Sequence, residues 1–171
     1  MISGKEILNC MKNGNIIIEP FDISKLNPNS YNVTLAPKLK VYKKDIVLDP
    51  KKDNEYEEFE IPEEGFILQP GELYIASTNE YTETYGFVPC ISGRSSMGRL
   101  GISVHVTAGF GDNGFMGKWT LEITVVRPVI IYPNMQIAQL YYEPIDGQTA
   151  DLYHGRYLGQ KDAETSRYFK G

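Results

Sequence analysis

Apolar positions recur at every second residue through much of this chain. In WTLEITVV, Trp119 to Val126, the residues Trp119, Leu121, Ile123 and Val125 alternate with Thr120, Glu122 and Thr124. A period of two puts the first set on one face of a β-strand and the second set on the other. The same alternation marks Tyr31, Val33 and Leu35, then Leu39 and Val41 beyond Pro37, and again Ile102, Val104 and Val106. NIIIEP, Asn15 to Pro20, is a short β-branched run. Two apolar runs flank Pro70-Gly71 and two more flank Pro133-Asn134, dipeptides that favour turns. Only the first segment has helical spacing. Ser3 and Glu6 hold the S-x-x-E spacing of a capping box, Ile7, Leu8 and Met11 follow a helical stripe, and Gly14 can end it. One short N-terminal helix and many short strands predict a mainly β chain, a barrel or a sandwich.

The 171 residues suit one domain, 1–171, with no internal repeat and no linker. Two segments lack the pattern. Residues 50–64, PKKDNEYEEFEIPEE, read as a solvated loop. Residues 152–171 lack a core pattern yet carry aromatics, basic residues and Gln160. They read as a flexible tail, either a flap that closes on a ligand or a segment docked on a neighbouring subunit, and the two are compatible.

Charge narrows the partners. The net charge of −5 argues against a nucleic-acid polymer, so any basic site is local and small. Cys10 and Cys90 lie far apart and form neither a disulfide framework nor a metal-ligand spacing. The N-terminal MISGKEILNC carries charges where a signal peptide needs an apolar stretch, and no run is long enough to span a membrane. These features predict a soluble, cytoplasmic protein.

Against that acidic background, SGRSSMGRLG, Ser92 to Gly101, concentrates two arginines, three serines and three glycines. Arg94, Ser95, Ser96 and Arg99 offer charge-assisted and hydroxyl donors to phosphate oxygens. The glycines allow backbone N–H groups to approach an anion, and a short helical turn there could aim its N-terminus at a phosphate. A polar turn with structural arginines is the alternative. Downstream, Asp112 sits among glycines, and Glu122 shares a strand face with Thr120 and Thr124. That face suits a polar cleft, or plain solvent.

SGRSSMGRLG, HVTAGFGDNGFMG, TLEI and the tail RYLGQKDAETSR, with LNPNSYNVTL before them, together resemble the dCTP deaminase family, which belongs with the trimeric dUTPases. The matches run in order along most of the chain. The resemblance implies a distorted β-barrel or jelly-roll-like subunit of the dUTPase fold, assembled as a homotrimer with its active sites between subunits. It implies dCTP as substrate, dUTP as its deamination product, a tail at 152–171 that closes over the nucleotide, and dTTP as a feedback inhibitor. Mg²⁺ would arrive with the triphosphate, held by phosphate oxygens and water. Zinc is not expected, because the H-x-E…P-C-x-x-C signature of zinc deaminases is absent: Cys90 stands alone, and neither His105 nor His154 has the required glutamate.

The resemblance also implies roles. Glu122 matches the general base, Ser95 the residue that helps hold the water, and Arg99 the group that offsets developing negative charge. Backbone groups at Thr107 and Ala108 would position the base and the water. Asp112 matches an aspartate that holds the deoxyribose 3′-hydroxyl and positions water for phosphate chemistry. Arg94, Ser95 and Ser96 would meet phosphates, and Thr120 and Gln139 would contact the nucleotide. Tyr153, Arg156 and Gln160 would close the site, with Arg156 in place of the commoner lysine. His105 reads as structural. Within this resemblance a plain dUTPase would have an apolar residue at position 122, and a nucleotide sensor would not need the whole set. Gly109 and Phe115 match members that release dUMP and pyrophosphate rather than dUTP. Gly111 departs from the pattern, since a β-branched residue normally precedes this aspartate, and a loosened Asp112 is the expected consequence.

Overall fold

The computed structural model describes residues 1–105, 107–148 and 151–170. The chain opens with helix α1, Gly4–Lys12, whose Ser3 Oγ accepts from the Glu6 backbone N–H at 3.2 Å. Of the expected capping box, this is the half seen: the Glu6 carboxylate accepts from Asn9 Nδ2 instead. Ile7 and Cys10 face the core, and Gly14, at φ 77°, takes the left-handed turn that ends the helix.

Ten strands follow: β1 Ile16–Glu19, β2 Tyr31–Tyr42, β3 Tyr56–Glu60, β4 Phe66–Leu68, β5 Tyr74–Thr84, β6 Phe87–Gly93, β7 Ile102–Ser103, β8 Met116–Val125, β9 Val129–Ile131 and β10 Gln136–Pro144. Helix α2, Ser95–Arg99, lies between β6 and β7, as the basic stretch suggested. The main sheet runs β6-β10-β2-β5-β8-β7, with β1 added to β5 and β3 to β2; β4 and β9 form a separate ribbon. Register shifts within the β2–β5, β5–β8 and β10–β2 pairs bend the sheet around one core.

Strand β8 alternates as expected. Trp119, Leu121, Ile123 and Val125 are buried, while Lys118, Thr120, Glu122 and Thr124 are partly exposed. Full burial of one such apolar side chain stabilises by about 1.5–3 kcal/mol. A slip of one residue would bury Glu122 and expose Leu121, so the register that aims Glu122 outward is strongly set.

Three elements depart from the sequence reading. Residues 50–64 are not all loop, because Tyr56–Glu60 pairs with Lys38–Tyr42 as an edge strand; its glutamates point to solvent, which hid it. Strand β6 had no counterpart in the alternation. Ile102 and Val104 are buried, but β7 is only two residues long, and Val106 lies outside the described residues. The tail is docked on its own chain. The Lys118 backbone N–H donates to the Gln160 carbonyl at 3.0 Å, Gly159 N–H donates to Met116 O at 2.8 Å, and Ala163 is 1% exposed. Gly117 permits this approach: its φ is 144°, and a Cβ there would lie 3.0 Å from the Gln160 carbonyl oxygen.

Candidate active site

All the expected site residues but Thr107 and Arg156 fall into two clefts of one chain that share no lining residue. The first, of about 430 Å³, opens between the polar side of β8, the loop before it and the tail. It gathers Ala108, Asp112, Thr120, Glu122, Tyr153 and Gln160. Glu122 is half-buried opposite Ile75 of β5, and its backbone N–H donates to Val104 O at 3.0 Å. The carboxylate therefore rides on a central strand fixed from both sides.

Asp112 is exposed on the loop from Thr107 to Phe115. That loop is stitched to β6 by Ile91 N–H to Gly109 O and Gly111 N–H to Pro89 O, both 2.7 Å. A Cβ on Gly109 would come within 3.1 Å of the Ile91 carbonyl oxygen, so this glycine serves the loop's close approach to β6. His105 contacts the Ala108 carbonyl through Nε2, consistent with a structural role. Thr107 is exposed at the start of the loop.

Thr120 is engaged by the tail. Its hydroxyl accepts from Gln160 Nε2 at 3.3 Å and from the Glu164 backbone N–H at 3.2 Å. Ser77 Oγ donates to Asp162 at 3.1 Å, and Lys40 Nζ donates to the Ala163 carbonyl at 2.7 Å. Tyr153 packs against Phe115 with ring centroids 6.1 Å apart. Arg156 does not line the cleft; its carbonyl accepts from Arg167 and its guanidinium lies 5.7 Å from the Tyr168 ring centroid. The tail also brings Tyr157, Glu164 and Ser166 to the cleft mouth, beside Tyr42. The sequence reading singled out none of these four: Tyr157, Glu164 and Ser166 lie within the tail motif but carry no assigned role there, and Tyr42 read only as part of a strand.

The second cleft, of about 900 Å³, holds Arg94, Ser95, Ser96, Arg99 and Gln139. Ser95, Ser96 and Arg99 are exposed on α2. Arg94 caps that helix and donates through Nη1 to the Gln136 carbonyl at 3.0 Å, which anchors one edge of its guanidinium. Gln139 is held from both ends of its amide. It accepts from Ser30 Oγ at 2.9 Å and donates to the Gly93 carbonyl at 3.2 Å. Asn27 and Asn32 extend this amide network: Asn27 donates to Ser30 Oγ and Asn32, and Asn32 donates to Gln136. Their motif, LNPNSYN, was visible in the sequence only as an early strand. Tyr141 lines this cleft, and burial pushes its phenol pKa up, with the adjacent Cys90 adding to it.

One cleft thus offers carboxylates and aromatic walls, the other cationic and hydroxyl donors suited to phosphates. Among the described residues no group of three or more His, Cys, Asp or Glu is placed to hold a metal.

Comparison with known proteins bears on this geometry. A family model described as dCTP deaminase-like matches residues 1–145. The protein named "dCTP deaminase, dUMP-forming" from Clostridium botulinum (strain Alaska E43 / Type E3) is 54% identical over 171 residues, 99% of this chain and 97% of that protein. The crystal structure of 2′-deoxycytidine 5′-triphosphate deaminase from Agrobacterium tumefaciens superposes with a TM-score of 0.64 at 18% identity, over 84% of this chain and 47% of that one. This chain therefore spans about half the length of that structure. A mutant dUTPase from phage phi11 of S. aureus, described with a structural Mg(II) ion, superposes with a TM-score of 0.51 at 12% identity, over 84% and 99% of the two chains.

Proposed function

The chain belongs to the dCTP deaminase-like family, and from that premise we propose that it converts dCTP to dUMP, pyrophosphate and ammonia in a site built from the first cleft of one subunit and the second cleft of a neighbour. The observation that carries this reading is the division of the expected residues between two clefts with no common lining. A homotrimer with head-to-tail contacts would join them three times over.

In this site Glu122 acts first as base. It takes a proton from water as the oxygen bonds to cytosine C4, and the proton passes to ring N3. The C4 hydroxyl of the adduct then gives its proton, through Glu122, to the exocyclic amine; C4=O forms as the C4–N bond breaks, and ammonia leaves. The neighbour's Ser95 helps hold the water, and its Arg99 offsets the charge that develops on the adduct. Arg94, Ser95 and Ser96 bind phosphate oxygens, and Gln139, fixed by Ser30, contacts the nucleotide. Ala108 and Thr107 position the base through backbone groups.

Deaminated triphosphate is then cleaved in place. Asp112 orients a second water, whose oxygen bonds to the α-phosphorus as its proton passes by way of the carboxylate to solvent. The bond from that phosphorus to the bridging oxygen breaks, and pyrophosphate leaves with its electron pair. Mg²⁺ accompanying the triphosphate supplies charge neutralisation. With no protein cluster to hold it among the described residues, phosphate oxygens and water would carry it. dTTP, which differs from dUTP by one methyl group, would compete for the same site.

A time course with labelled dCTP and Mg²⁺ tests the reading. The expected products are dUMP, pyrophosphate and ammonia in equal amounts, with little free dUTP and no stoichiometric zinc in the active protein. Accumulation of dUTP without pyrophosphate would reduce the activity to deamination alone. A requirement for one zinc per chain would overturn the proposed water activation.

The docked tail gives a second expectation. Removing residues 156–171 strips Gln160 and Glu164 from Thr120 and opens the cleft to water. The oligomer should persist on size-exclusion chromatography, while turnover falls by about 10²-fold, the scale expected when reacting groups lose their positioning. A fully active truncated protein would remove the tail from the mechanism.

A further inference from the structure

Gly111 stands where a β-branched residue was expected, and space explains why. Its φ lies outside the left-handed region, so the backbone does not require glycine. A Cβ at 111, however, would lie 3.0 Å from Cη2 of Trp119 and 3.3 Å from Cγ of Pro89. Both contacts are tighter than a packed side chain tolerates without movement.

The indole has little freedom to yield. Trp119 is 6% exposed, its Nε1 donates to Thr82 Oγ1 at 3.0 Å, and its backbone N–H donates to Thr78 Oγ1 at 3.0 Å. Its ring packs against Phe115 with centroids 5.1 Å apart. Above it, Phe110, Gly111 and Asp112 line not only the first cleft but also a second hollow beside Val88 and Ile145. The segment bearing Asp112 thus separates two open spaces, and Trp119 is a rigid surface beneath it.

We propose that Trp119 is a positioning residue for Asp112: its indole occupies the volume that a side chain at 111 would fill and so holds the loop that aims the carboxylate. The glycine does not loosen the aspartate, because the tryptophan braces it. This inference rests on the reading of Asp112 as the group that orients the second water. The Gly111–Trp119 pair then acts as one unit. It governs the fate of the deaminated triphosphate, cleavage to dUMP or escape as dUTP, more than the deamination itself, whose base is Glu122; Gly111 and Trp119 line the same cleft as Glu122, so the deamination rate is followed beside the product ratio.

The test is a double-mutant cycle of Gly111→Val, Trp119→Phe and the pair together. Phenylalanine has three fewer heavy atoms than tryptophan and valine three more than glycine, so the pair roughly conserves packed volume. Labelled dCTP gives the dUTP-to-dUMP ratio, ammonia release gives the deamination rate, and a thermal melt reports folding. Each single variant should raise the ratio about tenfold or more while slowing deamination by a smaller factor, and the pair should return the ratio to within about threefold. Gly111→Ala replaces Gly111→Val if the latter does not fold. Singles that shift the melt but leave the ratio unchanged, or a pair whose ratio is no better than the worse single, would overturn the proposal. Asp112→Asn separates the two layers. If it leaves dUMP formation intact, the reading of Asp112 fails. If it stops dUMP formation while the cycle leaves the ratio unchanged, only the role of Trp119 fails.

Discussion

Replacing Glu122 by glutamine is expected to abolish ammonia release from dCTP while leaving nucleotide binding close to wild type. The amide has nearly the shape of the carboxylate, so the cleft and the register of β8 should persist. What disappears is the proton acceptor. Loss of a general base typically costs about 10²–10⁴-fold in rate. The cost should reach the upper end here, since in the proposed mechanism the same carboxylate serves every proton transfer from water to leaving amine. Rates from an ammonia assay and dCTP affinities from calorimetry decide the matter. Near-normal turnover would remove Glu122 from the chemistry, and lost binding with a normal fold would make it a binding group.

The polar placement of Glu122 was legible because β8 has two chemically different faces. Four buried apolar residues alternate with Lys118, Thr120, Glu122 and Thr124, and a period of two admits one reading. The turns at Gly71, φ 86°, and Asn134, φ 62°, were legible for a similar reason, since few residues accept those conformations. Strand β3 was hidden because it lies at an edge, where only Phe59 among Tyr56–Glu60 is partly buried and charge protects the open side. Strand β6 was hidden because Pro89, Cys90 and Ile91 are buried in succession, which breaks the alternation.

The tail illustrates a different limit. Gln160 and Ala163 turn inward, but the segment is held by backbone groups and by Thr120, Ser77 and Lys40 from three separate strands. No local pattern encodes such partners. The distribution of the site residues is more distant still from local sequence. Arg99 and Glu122 lie 23 positions apart in the chain, yet they line different clefts. The family resemblance supplied the candidate residues and the expectation of sites between subunits; no local pattern says which residue faces which cleft. Gly111 was legible as an anomaly, but its partner, Trp119, read only as a core residue of a strand.

Complementation between two inactive variants carries the second large effect and tests the composite site most directly. Arg99→Ala removes from the second cleft the arginine proposed to offset charge on the adduct, and Glu122→Gln removes the base of the first, so each homotrimer should be inactive. In a head-to-tail trimer containing both variants, one interface joins the intact Glu122 of the first chain to the intact Arg99 of the second. Co-expression with two different tags and purification on both yields only mixed assemblies, whose composition native mass spectrometry can verify. The account predicts recovery of about one third of wild-type dUMP formation, one working site in three, from two parents with almost none. Mixed trimers no more active than their parents would contradict it, and would mean that Arg99 and Glu122 do not meet across a subunit boundary.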